Sequence, residues 1–272
     1  MSKYDYNVIV IGAGSAGLVS SYIASAVKAK VLLIEKYKMG GDCLNTGCVP
    51  SKAFIRSAKM MSYARRAKEF GFKKTEVKFE FQDIMKRVQS IIKTIEPNDS
   101  RDRYTKLGVD CIDGIGKLIS PHKVEVKGKI LTARSIIIAT GARSRELPNL
   151  PQDGKKVIGY RQAMTLPEQP KSMIVVGSGA IGVEFAHFYN TMGTEVTIVE
   201  YMPNLVPVED IDISKQFERS IKKAGIKVMT NSSVESVDTS GEGVVATVKT
   251  KKGEITLKAD ILLSAVGIKS NI

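Results

Sequence analysis

The chain has no tryptophan, two histidines and three cysteines, and aromatic residues make up 6% of its 272 positions. Each scarcity removes a function class. Cys43 and Cys48 find no second ligand pair at knuckle or helix spacing, and His122 and His187 stand apart, so no metal site is expected. No apolar run approaches the roughly 18 residues of a membrane span, and Val8 to Ile11 is much too short for a signal-peptide core. The expectation is a cytoplasmic protein with no membrane partner. Between Lys52 and Lys74 there are eight basic residues against one acid, in a chain of net charge +13. These cations follow a helical pattern without stacking aromatics, so the reading is a solvated face that attracts anionic ligands such as dinucleotides, with no nucleic-acid partner.

The composition, 43% hydrophobic and 25% charged, is that of a globular protein. At about 150 residues per domain, the length suggests two domains. They carry the same unit. A strand pattern from Asn7 to Ile11 enters Gly12-Ala13-Gly14-Ser15-Ala16-Gly17, a small-residue helix to Ala26, and a strand Val31 to Ile34 closed by Glu35. Met173 to Val176 enters Gly177-Ser178-Gly179-Ala180-Ile181-Gly182, a helix to Met192, and a strand Val196 to Val199 closed by Glu200. The interval from first glycine to closing acid is 23 residues in both. In this context the first glycine makes a tight turn, the second lets backbone approach a pyrophosphate, and the third lets helix pack on strand. The helix N-terminus then presents free N–H groups to phosphate, and the acid can accept hydrogen bonds from a ribose diol. Glu200 disfavours a 2′-phosphate, and Tyr201 and Met202 offer no arginine to hold one, so NAD is expected there over NADP.

Both units continue alike. A hairpin over Val124 to Thr132 precedes Ser135 to Gly141; a hairpin over Val244 to Leu257 precedes Asp260 to Gly267. The proline-rich stretch Glu146 to Pro151 reads as the join. The first unit is 39 residues longer from first glycine to last. The cysteine pair and its basic helix, expected over Ser51 to Phe70, account for much of the excess. A second helix, Asp83 to Ile95, places Ile84, Val88, Ile91, Ile92 and Ile95 on one packing face and stops at Pro97.

The cysteine pair admits three readings: a metal site, two idle thiols, or a redox disulfide. On a regular helix residues five apart are separated by roughly 7.5 Å along the axis, beyond disulfide reach. Gly47 permits a tightened turn between them, and Pro50 suits a first helical turn, which puts Cys48 near the helix N-terminus where thiolate is favoured. In a reducing compartment such a disulfide is catalytic more often than structural, so the redox reading fits best. Cys111, in a strand-like segment, reads as an inert core residue.

Two dinucleotide folds with a cysteine pair on the first resemble the pyridine-nucleotide disulfide oxidoreductases over nearly the whole chain, and GGDCLNTGCVPSK (residues 40–52) is similar to that family's redox motif. Residues 141–200 are similar to its dihydrolipoamide dehydrogenase branch; residues 40–52 and the stretch IEPNDSRDRYTKLGVD are closer to mercuric-reductase-like members. The resemblance implies an α/β fold of two tandem Rossmann-like dinucleotide-binding domains. Residues 1–145 would bind FAD and carry the redox disulfide, 146–266 would bind NAD, and 267–272 would begin the return to the FAD domain.

FAD would lie on Gly12, Gly14, Gly17 and Glu35, with Gly116, Thr140 and Gly141 lining it. Lys52 would sit near the flavin and pair with Glu184. Cys43 would exchange with a dithiol and Cys48 would contact flavin. NAD would lie on Gly177, Gly179, Gly182 and Glu200, with Val234 and Gly267 nearby. His187 is expected to pack and not to act as a base. The implied reaction oxidises dihydrolipoamide, on a lipoyl-bearing carrier domain or as a small dithiol, and passes the electrons through FAD to NAD. The alternatives are a mercuric-reductase-like flavin disulfide reductase and a nucleotide-binding fragment without turnover. Family members continue into a Gly-Asp segment and an interface domain that supplies a His-Glu base and a homodimer contact. That interface domain is absent from this chain, and no general base is assigned.

Overall fold

A computed structural model describes residues 3–73 and 75–272. In chain order the first stretch holds β1 (Tyr6–Ile11), α1 (Ser15–Ala26), β2 (Val31–Glu35), α2 (Gly41–Asn45), α3 (Cys48–Arg65), α4 (Phe81–Ile95), α5 (Arg101–Lys106), β3 (Val109–Asp113), β4 (Lys117–Ser120), β5 (Lys123–Val126), β6 (Lys129–Ile138) and β7 (Ala142–Ser144). There follow β8 (Val157–Ile158), α6 (Tyr160–Ala163), β9 (Ser172–Val176), α7 (Ala180–Met192), β10 (Glu195–Val199), α8 (Ile211–Lys223), β11 (Lys227–Met229), β12 (Ser233–Asp238), β13 (Val244–Thr250), β14 (Gly253–Ala259), β15 (Ile261–Ser264) and β16 (Ile268–Ser270). Among the described residues no helix is long and apolar enough to cross a membrane.

The chain divides into two compact units, one of residues 1–50, 89–143 and 270–272, the other of residues 51–88 and 144–269. The first unit is built on a six-stranded sheet of order β3-β2-β1-β6-β5-β4. The strands β3, β2, β1 and β6 pair in parallel. Alternate residues face opposite sides of a strand. Ile9, Ile11, Leu32 and Ile34 therefore join one core with Val124 and Ala133, while Val10, Val31 and Leu33 join another with Leu18 and Tyr104. Burial on both faces explains the unbroken apolar runs.

The sequence suggests a hairpin arm and then a separate buried strand after Val124. The structure merges them. In β6, Lys129 to Thr132 pairs antiparallel with β5, and Ala133 to Ile138 pairs parallel with β1. The corresponding stretch of the second unit is broken. β13 and β14 belong to a three-stranded sheet with β12, and Asp260 turns the chain into β15 of the parallel sheet β11-β10-β9-β15-β8. The Asp260 carboxylate accepts the Lys171 and Ser172 backbone N–H groups at 2.7 and 3.0 Å, which anchors the turn at the start of β9.

Residues 51–88 group with the second unit although the sequence division runs continuously from 1 to 145. Their aromatic side chains explain this. Phe54 packs on Phe188 of α7 with ring centroids 4.5 Å apart, and Phe81 lies 6.5 Å from Phe188 and 6.2 Å from Tyr189. Arg87 ties α4 to α3 by donating to the Ala53 carbonyl at 3.0 Å and the Ser57 hydroxyl at 3.2 Å. The helix expected over Ser51 to Phe70 starts earlier, at Cys48, and ends at Arg65, with a 3₁₀ turn over Ala67–Phe70.

Candidate dinucleotide turns and cysteine pair

The two glycine turns repeat one another bond for bond. Gly12 N–H donates to the Ile34 carbonyl at 2.7 Å, and Gly177 N–H to the Val199 carbonyl at 2.9 Å. Ala139 N–H reaches the Ile11 carbonyl, and Ala265 N–H the Val176 carbonyl, both at 2.8 Å. Three glycines serve two different purposes. A Cβ on Gly12 would meet the Ala139 carbonyl oxygen at 2.2 Å, and one on Gly17 the Gly12 carbonyl oxygen at 1.7 Å. The equivalents are 2.6 Å at Gly177, against Ala265, and 2.1 Å at Gly182, against Gly177. First and third glycines are thus demanded by the fold itself. A Cβ on Gly14 would find nothing nearer than 3.9 Å and one on Gly179 nothing within 4 Å. Both have ordinary negative φ, −79° and −65°. Internal packing leaves the middle glycines free, and an exposed backbone at a helix N-terminus is a cradle that fits a pyrophosphate.

The closing glutamates hold these turns. Glu35 accepts Ala13 N–H at 2.6 Å and Tyr37 N–H at 2.7 Å. Glu200 accepts Ser178 N–H at 2.7 Å, Ser178 Oγ–H at 2.6 Å and Met202 N–H at 2.8 Å. Each carboxylate therefore latches the residue after its first glycine, a role that sequence reasoning missed. The equal interval to the acid is the signal that could have shown it. Glu200 is 6% exposed and Ser178 fully buried; a buried carboxylate is tolerated because charge-assisted hydrogen bonds replace water. Ser178 Oγ also accepts Val206 N–H at 3.2 Å. Val206 has φ of +43°, a strained conformation for a β-branched residue, so the loop after Glu200 is pinned at a cost.

Other expected residues fall at varied places. Thr140 and Gly141 follow β6, and their carbonyls accept the Asn271 side chain and backbone N–H, both at 3.0 Å. A Cβ on Gly116 would lie 3.1 Å from the Ile11 side chain, a tight approach at the strand ends. Val234, 7% exposed, lies in the core with Val176 and Val199, and its carbonyl accepts from Asn149. Gly267 has φ of +107° with open space around it. Burial depresses the pKa of His187, which disfavours the charged imidazolium. Burial likewise raises that of Cys111, in β3.

Cys43 lies in α2, and Cys48 is the first residue of α3. A Cβ on Gly47 would meet the Asp42 carbonyl oxygen at 2.8 Å, so only glycine lets the chain double back this closely. The turn brings the Cys43 and Cys48 side chains into hydrogen-bonding contact. Burial, the Cys48 thiol and the Asp99 charge together push the Cys43 pKa up to about 11, against a smaller opposing effect of the Cys48 backbone N–H. Asp99, half-buried between α4 and α5, is a neighbour the sequence did not single out. Among the described residues no cluster of three His, Cys, Asp or Glu side chains could hold a metal ion.

Lys52 Nζ lies 2.6 Å from Glu184 Oε1 of α7, with the lysine side chain 63% exposed and the glutamate 33%. Phe54, Ile55, Phe185 and Phe188 line a small hollow beside Glu184. An ion pair this open to water is worth about 0.2–1 kcal/mol, so it orients the two side chains more than it stabilises the fold.

The family model described as pyridine nucleotide-disulphide oxidoreductase matches residues 6–272. The chain belongs to this family, whose members are enzymes using FAD and NAD(P). It is 36% identical over 273 residues to the dihydrolipoyl dehydrogenase of Zymomonas mobilis, a match covering 98% of this chain and 58% of that protein. LpdA from Mycobacterium tuberculosis superposes with a TM-score of 0.86 at 30% identity, covering 97% of this chain and 59% of that one. The HOCl-induced flavoprotein disulfide reductase RclA from Escherichia coli superposes with a TM-score of 0.81 at 25% identity, covering 97% and 57%. The chain thus spans somewhat under three fifths of the length of these relatives.

Proposed function

We propose that this chain is the dinucleotide-binding part of a cytoplasmic NAD-linked flavoprotein that oxidises dihydrolipoamide, free or on a lipoyl-bearing carrier domain, and works as a homodimer at full length. The observation that carries this reading is the contact of Cys43 with Cys48 at the head of α3, in the same compact unit as the first glycine turn. FAD, held by Gly12, Gly14, Gly17 and Glu35 with Thr140 and Gly141 at the next strand end, would supply two-electron transfer between sulfur and NAD.

The protein's own part begins with exchange. A substrate thiolate attacks Cys43 in the oxidised pair, breaking the Cys43–Cys48 bond and forming a mixed disulfide. The second substrate thiol attacks its own sulfur in that bond, so the substrate leaves as a disulfide and Cys43 and Cys48 remain as the dithiol. The surroundings of that dithiol keep the proton on Cys43, the thiol that must give it up when the pair reoxidises. Lys52, oriented by Glu184, would place a positive charge beside the flavin. The Gly177 turn, Gly179, Gly182 and Glu200 would take NAD, with Val234 and Gly267 at the borders of that site. The pinned Glu200 carboxylate would repel a 2′-phosphate.

The test is an NAD-coupled assay with dihydrolipoamide on the full polypeptide loaded with FAD. Turnover that falls to background in both Cys43→Ser and Cys48→Ser, with NADH bound more tightly than NADPH, is the expected result. Turnover surviving either substitution would refute the sulfur route. The likeness to RclA supports a second reading, a flavin disulfide reductase for another substrate, and NAD(P)H-driven disulfide reduction without dihydrolipoamide turnover would establish it.

A further inference from the structure

One face of α3 carries Arg56, Lys59 and Tyr63, and Arg66 just past the end of the helix continues the row at intervals of three, four and three residues, all of them exposed. This spacing draws a single stripe along a helix, and the sequence reading of plain solvated cations does not describe it. The Arg66 guanidinium lies 5.9 Å from the Tyr63 ring centre and 5.7 Å from that of Phe70. The Lys59 ammonium lies 5.7 Å from the Tyr63 ring, and the two rings meet edge to face at 5.6 Å. Tyr63 remains 40% exposed and Phe70 53%. From residue 52 to 74 the one acid is Glu69, and it lies 3.1 Å from Arg66.

Arginine and aromatic rings are enriched in protein interfaces, and mutual stacking lowers the entropy lost when such side chains are immobilised. We propose that this face of α3 docks an acidic protein domain, the one that carries the dithiol. The inference rests on the redox reading of the cysteine pair, because the helix bearing the stripe begins at Cys48. From Arg56 to Arg66 the stripe is about 15 Å long, within the footprint of a small domain. The excess of positive charge selects an acidic surface and repels a second copy of the same face. Nucleic acid is disfavoured because Arg66 already lies against both rings that bases would need.

The test is calorimetric titration of the full polypeptide with a purified acidic lipoyl domain at low and high salt. Lys59→Glu/Arg66→Glu is compared with Lys251→Glu/Lys252→Glu, an equal charge change in an exposed turn. The expected result is binding that weakens with salt, a further loss of about tenfold or more in the first variant, and little loss in the second. Circular dichroism confirms that both variants fold, and reduction of the Cys43–Cys48 disulfide by free dihydrolipoamide is expected to be unchanged in both. Equal weakening in the two variants, tighter binding of single-stranded RNA at the same face, or a dimer dissociated by the first variant would overturn the proposal. Failure of free dihydrolipoamide to reduce the pair would instead refute the redox reading, whatever the titration shows.

Discussion

Cys43 holds its proton because burial, a thiol partner and the negative charge of Asp99 all oppose its thiolate. A pKa raised from 9.0 to about 11 has a definite sign. Above pH 9 the unfolded chain releases a proton that the folded chain keeps, so this group's stabilising contribution is complete below that pH and is lost as pH rises towards 11. Alkylation of the reduced protein, followed by mass spectrometry of the Cys43 peptide, is expected to be slow at pH 8 and to accelerate up to about pH 11. In Cys48→Ala that rise is expected at lower pH, because the opposing influence of the Cys48 thiol is removed. An unshifted profile would show that Cys48 does not act on Cys43. Residue types and spacing disclosed the pair itself. Asp99 was not legible as its neighbour, because more than fifty residues separate them and only tertiary packing brings them together.

Among the elements, α7 has the most to lose. Its first turn faces the expected NAD cradle, while Phe188, 1% exposed, packs on Phe54 of α3 at 4.5 Å and on Tyr189 at 5.0 Å. Phe188→Ala is expected to destabilise the protein by about 3–5 kcal/mol, from lost burial, lost ring contacts and the cavity left behind. Denaturant unfolding at equilibrium measures this, and a loss below about 1 kcal/mol would show that the aromatic cluster does not hold α3 to α7. The existence of α1, α3, α4 and α7 was legible from apolar spacing and from the glycines before two of them. Their partners were not. Residues 51–88 read as an insertion in the first unit, yet apolar side chains on α3 and α4 specify only that something must cover them.

At the scale of the whole molecule the same turn is built twice, and the two copies use corresponding hydrogen bonds. Under the proposed function, hydrogen exchange should separate the ligands. FAD is expected to slow exchange at residues 12–17 and 139–141, and NAD at residues 177–182 and 200–206, because each ligand stabilises the structure that binds it. Protection of only one turn by both ligands would refute the division of labour. The repeat was open to sequence inspection because tight turns and close helix approach can be met only by glycine, and because the strand-helix-strand path fixes the interval to the acid. The cysteine motif was open for a similar reason, since Gly47 is required where α2 doubles back on α3. What only the tertiary structure decided is what each side chain meets: both glutamates fasten their glycine turns, Ser178 and Val206 pin the loop beside Glu200, and Arg66 comes to lie against two rings. Local geometry restricts residue types along the chain, whereas contacts across it depend on packing that no single segment encodes.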